Sequence, residues 1–247
     1  MSKSKILICY SFLFLLFLCY ADNIVLNDYG HIQVSDPKTA AEYFMKDGEY
    51  YLKIDGKILI GNSLFEIENG YLTLTTIEEN IPTTLRIYNA NGIEKYKEKF
   101  SKVINLKISS NKLYSGFYNG QYLVILNNQK FEKKNYPRSV IFDVNNIGEP
   151  VFVDNENILI YKNSEYQLKN IPRNVQISKN NFIVLASKNA ILFDENLNEV
   201  KQFEGNFINS QIIDNELYLV KKIRKNDNFY FILFKLDEMN NLHLIER

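Results

Sequence analysis

The sequence predicts an all-β protein built from repeated four-stranded antiparallel sheets. Runs of four to seven residues rich in Ile, Val, Leu, Tyr and Phe alternate with polar turns, which is typical of short strands. The chain has 32 Asn but only 10 Gly and 5 Pro. Asn therefore has to form the turns, because it tolerates left-handed backbone and closes a turn with its own side chain. These turns recur at a nearly constant spacing, which indicates an internal repeat.

The first 21 residues are predicted to be a signal peptide. Lys3 and Lys5 precede an apolar stretch over residues 6–18, and Ala21 would allow cleavage before Asp22. Alternatively, the stretch ending at Cys19 resembles a bacterial lipobox, although Leu18 stands where that motif has a small residue. Both alternatives predict export to the periplasm or the cell envelope, and the second makes Cys19 a lipid attachment site.

The remaining residues, 22–247, are predicted to form one domain without disulfides, because both cysteines lie in the first 21 residues. Removal of Lys3 and Lys5 leaves this domain with a net charge of −2. The nearly balanced charge excludes the basic footprint that nucleic-acid binding requires.

A strand–turn–strand pattern recurs six times along this domain. The clearest copies are residues 106–113 (LKISSNKL), 175–182 (VQISKNNF) and 211–217 (QIIDNEL). Similar patterns occupy residues 25–32, 65–72 and 141–147. Equivalent positions at 26, 67, 108, 142, 177 and 212 are separated by 41, 41, 34, 35 and 35 residues. The repeat is therefore long enough for four short strands.

The unit beginning near residue 174 shows all four strands, at residues 174–178, 182–187, 190–194 and 199–203. A further apolar strand followed by a polar turn lies inside every unit, for example at residues 85–92. In the first unit, residues 38–45 (KTAAEYFM) are predicted to form a short helix of at most two turns.

This pattern resembles the blades of a β-propeller over roughly residues 22–247. The resemblance is to generic propellers of the YVTN, NHL and outer-membrane-assembly scaffold kind, because the marks of WD40 repeats are absent and the chain has no Trp. It implies a monomeric ring of about six four-stranded blades. Five blades are the next alternative because the first unit matches least well, and another all-β sandwich is the alternative fold.

The resemblance also implies where a binding site would lie, because the innermost strands of a propeller line its central channel. The polar channel-lining candidates are Lys107, Ser109, Asp143, Gln176, Ser178 and Gln211. No cofactor is predicted, with calcium as the one alternative, since a calcium-dependent propeller hydrolase needs several inward carboxylates. The nearest candidates for that role are Glu66, Glu68, Asp143 and Asp214.

Other chemistry has little support in the sequence. No Gly-x-Ser-x-Gly motif or glycine-rich phosphate loop is present, which leans against an enzyme. The only histidines, His31 and His243, are predicted at surface or turn positions. Basic clusters at residues 95–102, 130–138 and 221–225 are expected to protect strand edges and aid solubility. Binding to an anionic headgroup or another polyanion is the alternative role for these clusters.

The function predicted from these features is a non-enzymatic protein-interaction scaffold in the bacterial cell envelope. Propeller faces present many loops on a rigid ring, which suits binding to an envelope protein. The membrane would be involved only through a lipid anchor at Cys19. The alternative function is a small-molecule-binding propeller, or a calcium-dependent hydrolase acting on lactones or phosphate esters at the central channel.

Overall fold

A computed structural model describes residues 24–26, 32–34, 41–76, 83–137, 139–178, 181–213 and 216–246. Every regular element in these residues is a β-strand, as the sequence predicts. They contain no helix with the length and hydropathy needed to cross a membrane. The predicted signal peptide and Cys19 lie outside the described residues.

The strands fall into one short ribbon and six sheets within the described residues. The ribbon pairs β1 (Ile24–Leu26) with β2 (Ile32–Val34). The first sheet contains β3 (Glu42–Lys46), β4 (Glu49–Ile54) and β5 (Lys57–Ile60). The second contains β6 (Ser63–Ile67), β7 (Gly70–Thr75), β8 (Thr83–Asn89) and β9 (Glu94–Phe100). The third contains β10 (Asn105–Ile108), β11 (Tyr114–Tyr118), β12 (Tyr122–Asn127) and β13 (Lys133–Pro137).

The last three sheets follow the same plan. The fourth contains β14 (Ser139–Val144), β15 (Pro150–Asp154), β16 (Ile158–Tyr161) and β17 (Ser164–Gln167). The fifth contains β18 (Pro172–Ser178), β19 (Asn181–Ala186), β20 (Asn189–Phe193) and β21 (Glu199–Glu204). The sixth contains β22 (Phe207–Ile213), β23 (Glu216–Lys225), β24 (Asn228–Leu236) and β25 (Leu242–Glu246). Each sheet is an antiparallel meander in which strands pair in chain order.

Consecutive sheets pack face to face, and their first strands converge. An apolar cluster fills each of the five interfaces between neighbouring sheets, typified by Leu59 with Tyr88, Leu85 with Phe117, Ile125 with Phe142, Val153 with Val175, and Leu185 with Phe207. The first strands β10, β14, β18 and β22 contact one another in turn. The strand β2 also contacts β22, which brings the N-terminal ribbon beside the last sheet. This is the blade arrangement of a β-propeller, in which stacking buries both faces of sheets that could not fold alone.

Asn and Asp side chains close the turns, in agreement with the composition. The side-chain Oδ1 atoms of Asn89, Asn145, Asp154 and Asp194 each accept hydrogen bonds from the backbone N–H groups two and four residues later. The same local geometry thus recurs in the second, fourth and fifth sheets. One side-chain oxygen satisfies two backbone donors that no strand partner can reach.

The first sheet departs from two expectations. The predicted helix at residues 38–45 is wrong over its described part, because Glu42–Lys46 is the strand β3. Phe44 stacks on Tyr51 of β4 with ring centroids 5.4 Å apart, and Asp47 and Gly48 form a tight turn with φ of 51° and 79°. Strand pairing therefore overrides the helix propensity of the alanines. The sheet also has three strands within the described residues, where the repeat predicts four.

Candidate functional site

A cavity of about 520 Å³ lies where the first strands of the third to sixth sheets converge. Lys107 of β10, Asp143 of β14, Gln176 of β18 and Ile212 of β22 contribute to its wall. These strands meet here because each starts its sheet, and the meander then runs outward. The cavity is therefore the inner space of the propeller on these blades.

The six residues predicted to line the channel have different environments. Lys107, Asp143 and Gln176 share the wall of this cavity. Ser109 is instead buried in its own hairpin turn, where its hydroxyl donates to Asn111 Oδ1 at 2.7 Å and accepts from the Tyr114 N–H at 3.0 Å. Gln211 is half-buried on β22 and is not among the residues that form the described wall. The side chain of Ser178 lies outside the described part of the chain.

Asp143 is the most deeply buried carboxyl of the cavity, with 7% of its surface exposed. Its Oδ1 accepts from the Val144 N–H at 2.9 Å, and its Oδ2 accepts from the Ile177 N–H at 2.8 Å. Burial raises the pKa of Asp143, while the Lys107 ammonium and the two N–H groups oppose the rise. The carboxyl therefore links the fourth and fifth sheets at the cavity wall.

A second polar chain connects three blades. The Lys107 ammonium donates to Asn174 Oδ1 at 3.4 Å, and Asn174 Nδ2 donates to Ser210 Oγ at 3.0 Å. The sequence interpretation did not select Asn174 or Ser210. Asn174 could have been found because it precedes Gln176 by two residues and so shares its face of β18.

Gln176 has a buried polar atom without a partner. Its Oε1 is shielded from solvent and accepts no hydrogen bond from any described residue. A buried acceptor without a donor costs about 1–3 kcal/mol. A small ligand or ordered water that carries a donor would remove this cost.

The rim of the cavity carries a hydrogen-bonded carboxylate that the sequence interpretation missed. Tyr161 donates its hydroxyl to Glu149 at 2.9 Å, and the Lys162 ammonium lies 3.3 Å from the same carboxylate. Although partial burial raises the pKa of Glu149, the bonds from Tyr161, Lys162 and Asn145 hold it below its usual value. Glu149 is thus ionised and already occupied by the protein's own donors.

The residues considered for calcium do not come together. Glu66 pairs with Lys112 at 3.1 Å and Glu68 accepts from Gln129 at 3.2 Å, both on the second blade, whereas Asp143 lies on the fourth. Asp214 is outside the described residues, as is His31. His243 contacts Asp237 at 2.6 Å on the exposed surface of the last sheet. Within the described ranges, no group of three His, Cys, Asp or Glu side chains could hold a metal ion. Calcium binding stays a prediction, which calorimetry would test.

Three exposed apolar side chains lie on the strand β3, and we call them the first-sheet edge. Tyr43 and Met45 are 62% and 66% exposed on one face of the strand, and Phe44 is exposed on the other face. Every residue of β3 is exposed. Among the described strands, β3 pairs only with β4.

The comparisons with known proteins agree with this architecture. No known protein-family model matches the chain, and no curated protein matches its sequence. Hsv2p from Kluyveromyces lactis is similar in structure with a TM-score of 0.56 and 13% identity, over 85% of this chain and 72% of that one. Apo AztD from Citrobacter koseri gives a TM-score of 0.53 and 9% identity, over 84% of this chain and 69% of that one. These neighbours are β-propellers, and at this identity they show the fold alone. The chain is a β-propeller protein.

Proposed function

We propose that this chain is an exported bacterial propeller that acts as a non-enzymatic protein-interaction scaffold in the cell envelope. The observation that carries the proposal is the first-sheet edge, where Tyr43 and Met45 are largely exposed on a strand that, among the described strands, pairs only with β4. Soluble proteins seldom leave such an edge uncovered, because it pairs readily with other chains. The predicted signal peptide at residues 1–21 supports the envelope location.

The partner we propose is an envelope protein that supplies an extended segment to β3. The second to sixth sheets each have four strands, so one added strand would give the first sheet the same number. Backbone hydrogen bonds along an open edge provide affinity, and alternating side chains provide specificity. On β3 these side chains are Tyr43 and Met45 toward one face and Phe44 toward the other.

Crosslinked affinity purification from the native envelope tests this proposal. The tagged wild-type protein should recover one envelope protein in near-equal amount, and the variant Y43K/M45K should lose it. The matched control Y122K/M239K places the same substitutions at Tyr122 and Met239, which are 46% and 82% exposed on other parts of the surface. Equal recovery by both variants, or recovery of the scaffold alone, would overturn the proposal.

The cavity supports a second candidate function, which is binding of a small molecule. The supporting observation is the unpartnered Oε1 of Gln176, beside the Lys107 ammonium and the Asp143 carboxyl. A ligand with a hydrogen-bond donor facing Gln176 fits these groups. Thermal-shift screening should then find a stabilising compound whose effect is lost in Q176L, and a calcium titration without heat would remove the hydrolase form of this candidate.

A further inference from the structure

The hairpin formed by β23 and β24 extends beyond the rest of its sheet. At ten and nine residues, these strands are the longest that the structure describes. The neighbour β22 pairs with β23 only as far as Lys221, and β25 pairs with β24 only between Leu233 and Leu236. Residues 222–232 therefore form a two-stranded ribbon that no other described strand flanks. We call this ribbon the long hairpin.

The long hairpin is basic although the whole chain is neutral. Residues 222–232 (KIRKNDNFYFI) contain three basic side chains and one acidic side chain, Asp227. Asp227 pairs with Arg224 at 2.7 Å in a fully surface setting, where such a pair is worth little. Lys222 and Lys225 have no carboxylate partner among the described ion pairs. The ribbon therefore presents an excess of positive charge to solvent.

The same ribbon exposes aromatic side chains beside these cations. Phe229 and Tyr230 are 55% and 48% exposed. Cross-strand pairing places Lys222 opposite Phe231 and Arg224 opposite Phe229, so these four share one face. The Lys222 ammonium lies 3.9 Å from the centroid of the Phe229 ring. Tyr230 lies opposite Ile223 on the other face.

We infer that the long hairpin docks the propeller on an anionic membrane surface. Basic side chains are attracted to acidic headgroups, and aromatic rings are favoured at the boundary between headgroups and acyl chains. A projecting ribbon can bring both groups to a flat surface. On β9, by comparison, Lys95, Lys97 and Lys99 share their strand with two acidic side chains, Glu94 and Glu98.

Because the chain contains no Trp, a single introduced tryptophan would report on its own surroundings alone. The variant F229W would carry a single tryptophan on the long hairpin, and Y122W would carry one at a similarly exposed position on the third sheet. Vesicles of phosphatidylcholine with phosphatidylglycerol should shift F229W emission to the blue and leave Y122W unchanged. Vesicles of phosphatidylcholine alone should shift neither.

Vesicle sedimentation of the purified protein measures how much of the membrane binding is electrostatic. Binding should weaken steeply between about 0.1 M and about 1 M salt, as the Debye length falls from about 10 Å to about 3 Å. K222Q/R224Q/K225Q should bind on the order of 100-fold more weakly, given about 1 kcal/mol for each basic side chain near an anionic surface. The matched variant K95Q/K97Q/K99Q should bind as the wild type does.

Three results would overturn the inference. These are equal binding of the two triple variants, binding that does not depend on anionic lipid, and binding to a soluble polyanion such as heparin without binding to vesicles. Circular dichroism would confirm that each variant is folded before its binding is compared.

Discussion

Asp143 on the fourth blade accepts a hydrogen bond from the backbone N–H of Ile177 on the fifth blade, at 2.8 Å. The other carboxylate oxygen accepts from the neighbouring Val144 N–H at 2.9 Å. One buried side chain thus satisfies two backbone donors and joins two innermost strands. This contact positions the wall of the cavity that holds Lys107 and Gln176.

Removal of this carboxyl should destabilise the propeller. In D143A both N–H groups lose their acceptor, and an unsatisfied buried group costs about 1–3 kcal/mol. In D143N one acceptor oxygen remains, so this variant should be more stable than D143A. Urea unfolding followed by circular dichroism measures both. Wild-type stability in D143A, or a lower stability of D143N than of D143A, would contradict this role.

The pH dependence of stability should also reflect Asp143. Burial raises its pKa above the ordinary value of 3.8, so the folded protein holds this proton more tightly than the unfolded chain. The stability gained from protonation is fully present below pH 3.8 and is lost as the pH rises through the folded pKa. The unfolding free energy of the wild type should therefore fall relative to D143N as the pH rises from 3.8. A difference between the two proteins that stays constant with pH would be evidence against the raised pKa.

The turn asparagines should respond differently to the same substitution. Among the described contacts, the Asn89 side chain uses its Oδ1 alone, so N89D should be nearly neutral, whereas N89A loses two hydrogen bonds and about 1–2 kcal/mol. The Nδ2 of Asn145 donates to Glu149 at 3.3 Å, so N145D places two carboxylates together and should be destabilising. Thermal unfolding of the three variants checks this order. Similar losses of stability in N89D and N145D would show that repulsion from Glu149 does not destabilise N145D.

A glycine in β11 should be required for packing between the third and fourth blades. A Cβ at Gly116 would lie 2.8 Å from Phe142 and 2.9 Å from Ile125, and Phe142 is fully buried. Overpacking of this kind typically costs about 1–3 kcal/mol, so G116A should lower the unfolding free energy by that amount. The double variant G116A/F142L should recover part of the unfolding free energy that G116A loses. A double-mutant cycle without coupling would argue against this contact.

The repeated hairpins could be predicted from the sequence because local signals determine them. The predicted unit at residues 174–203 agrees closely with β18 to β21, since its strands are apolar and its turns use Asp and Asn. The first sheet could not be predicted as well. Ala40 and Ala41 favour a helix locally, whereas β3 forms through pairing with β4.

The candidate site was only partly predictable for a related reason. Lys107, Asp143 and Gln176 could be predicted as cavity-lining residues because the repeat aligns them on innermost strands. Asn174 and Ser210 join Lys107 only through contacts between blades, which depend on how the sheets pack in the ring. Ser109 has the same alignment as the lining residues, but its own turn uses its hydroxyl. Residue type and spacing do not determine whether such a side chain lines the cavity or closes its own turn.

Site-specific photocrosslinking in the native envelope tests the scaffold proposal most directly. A photoreactive amino acid would replace Met45 on the first-sheet edge or, as the control, Met239 in the turn between β24 and β25. The account predicts that position 45 crosslinks to one envelope protein and that position 239 does not. The absence of a protein crosslink at position 45, with the probe active on the purified protein, would contradict the account.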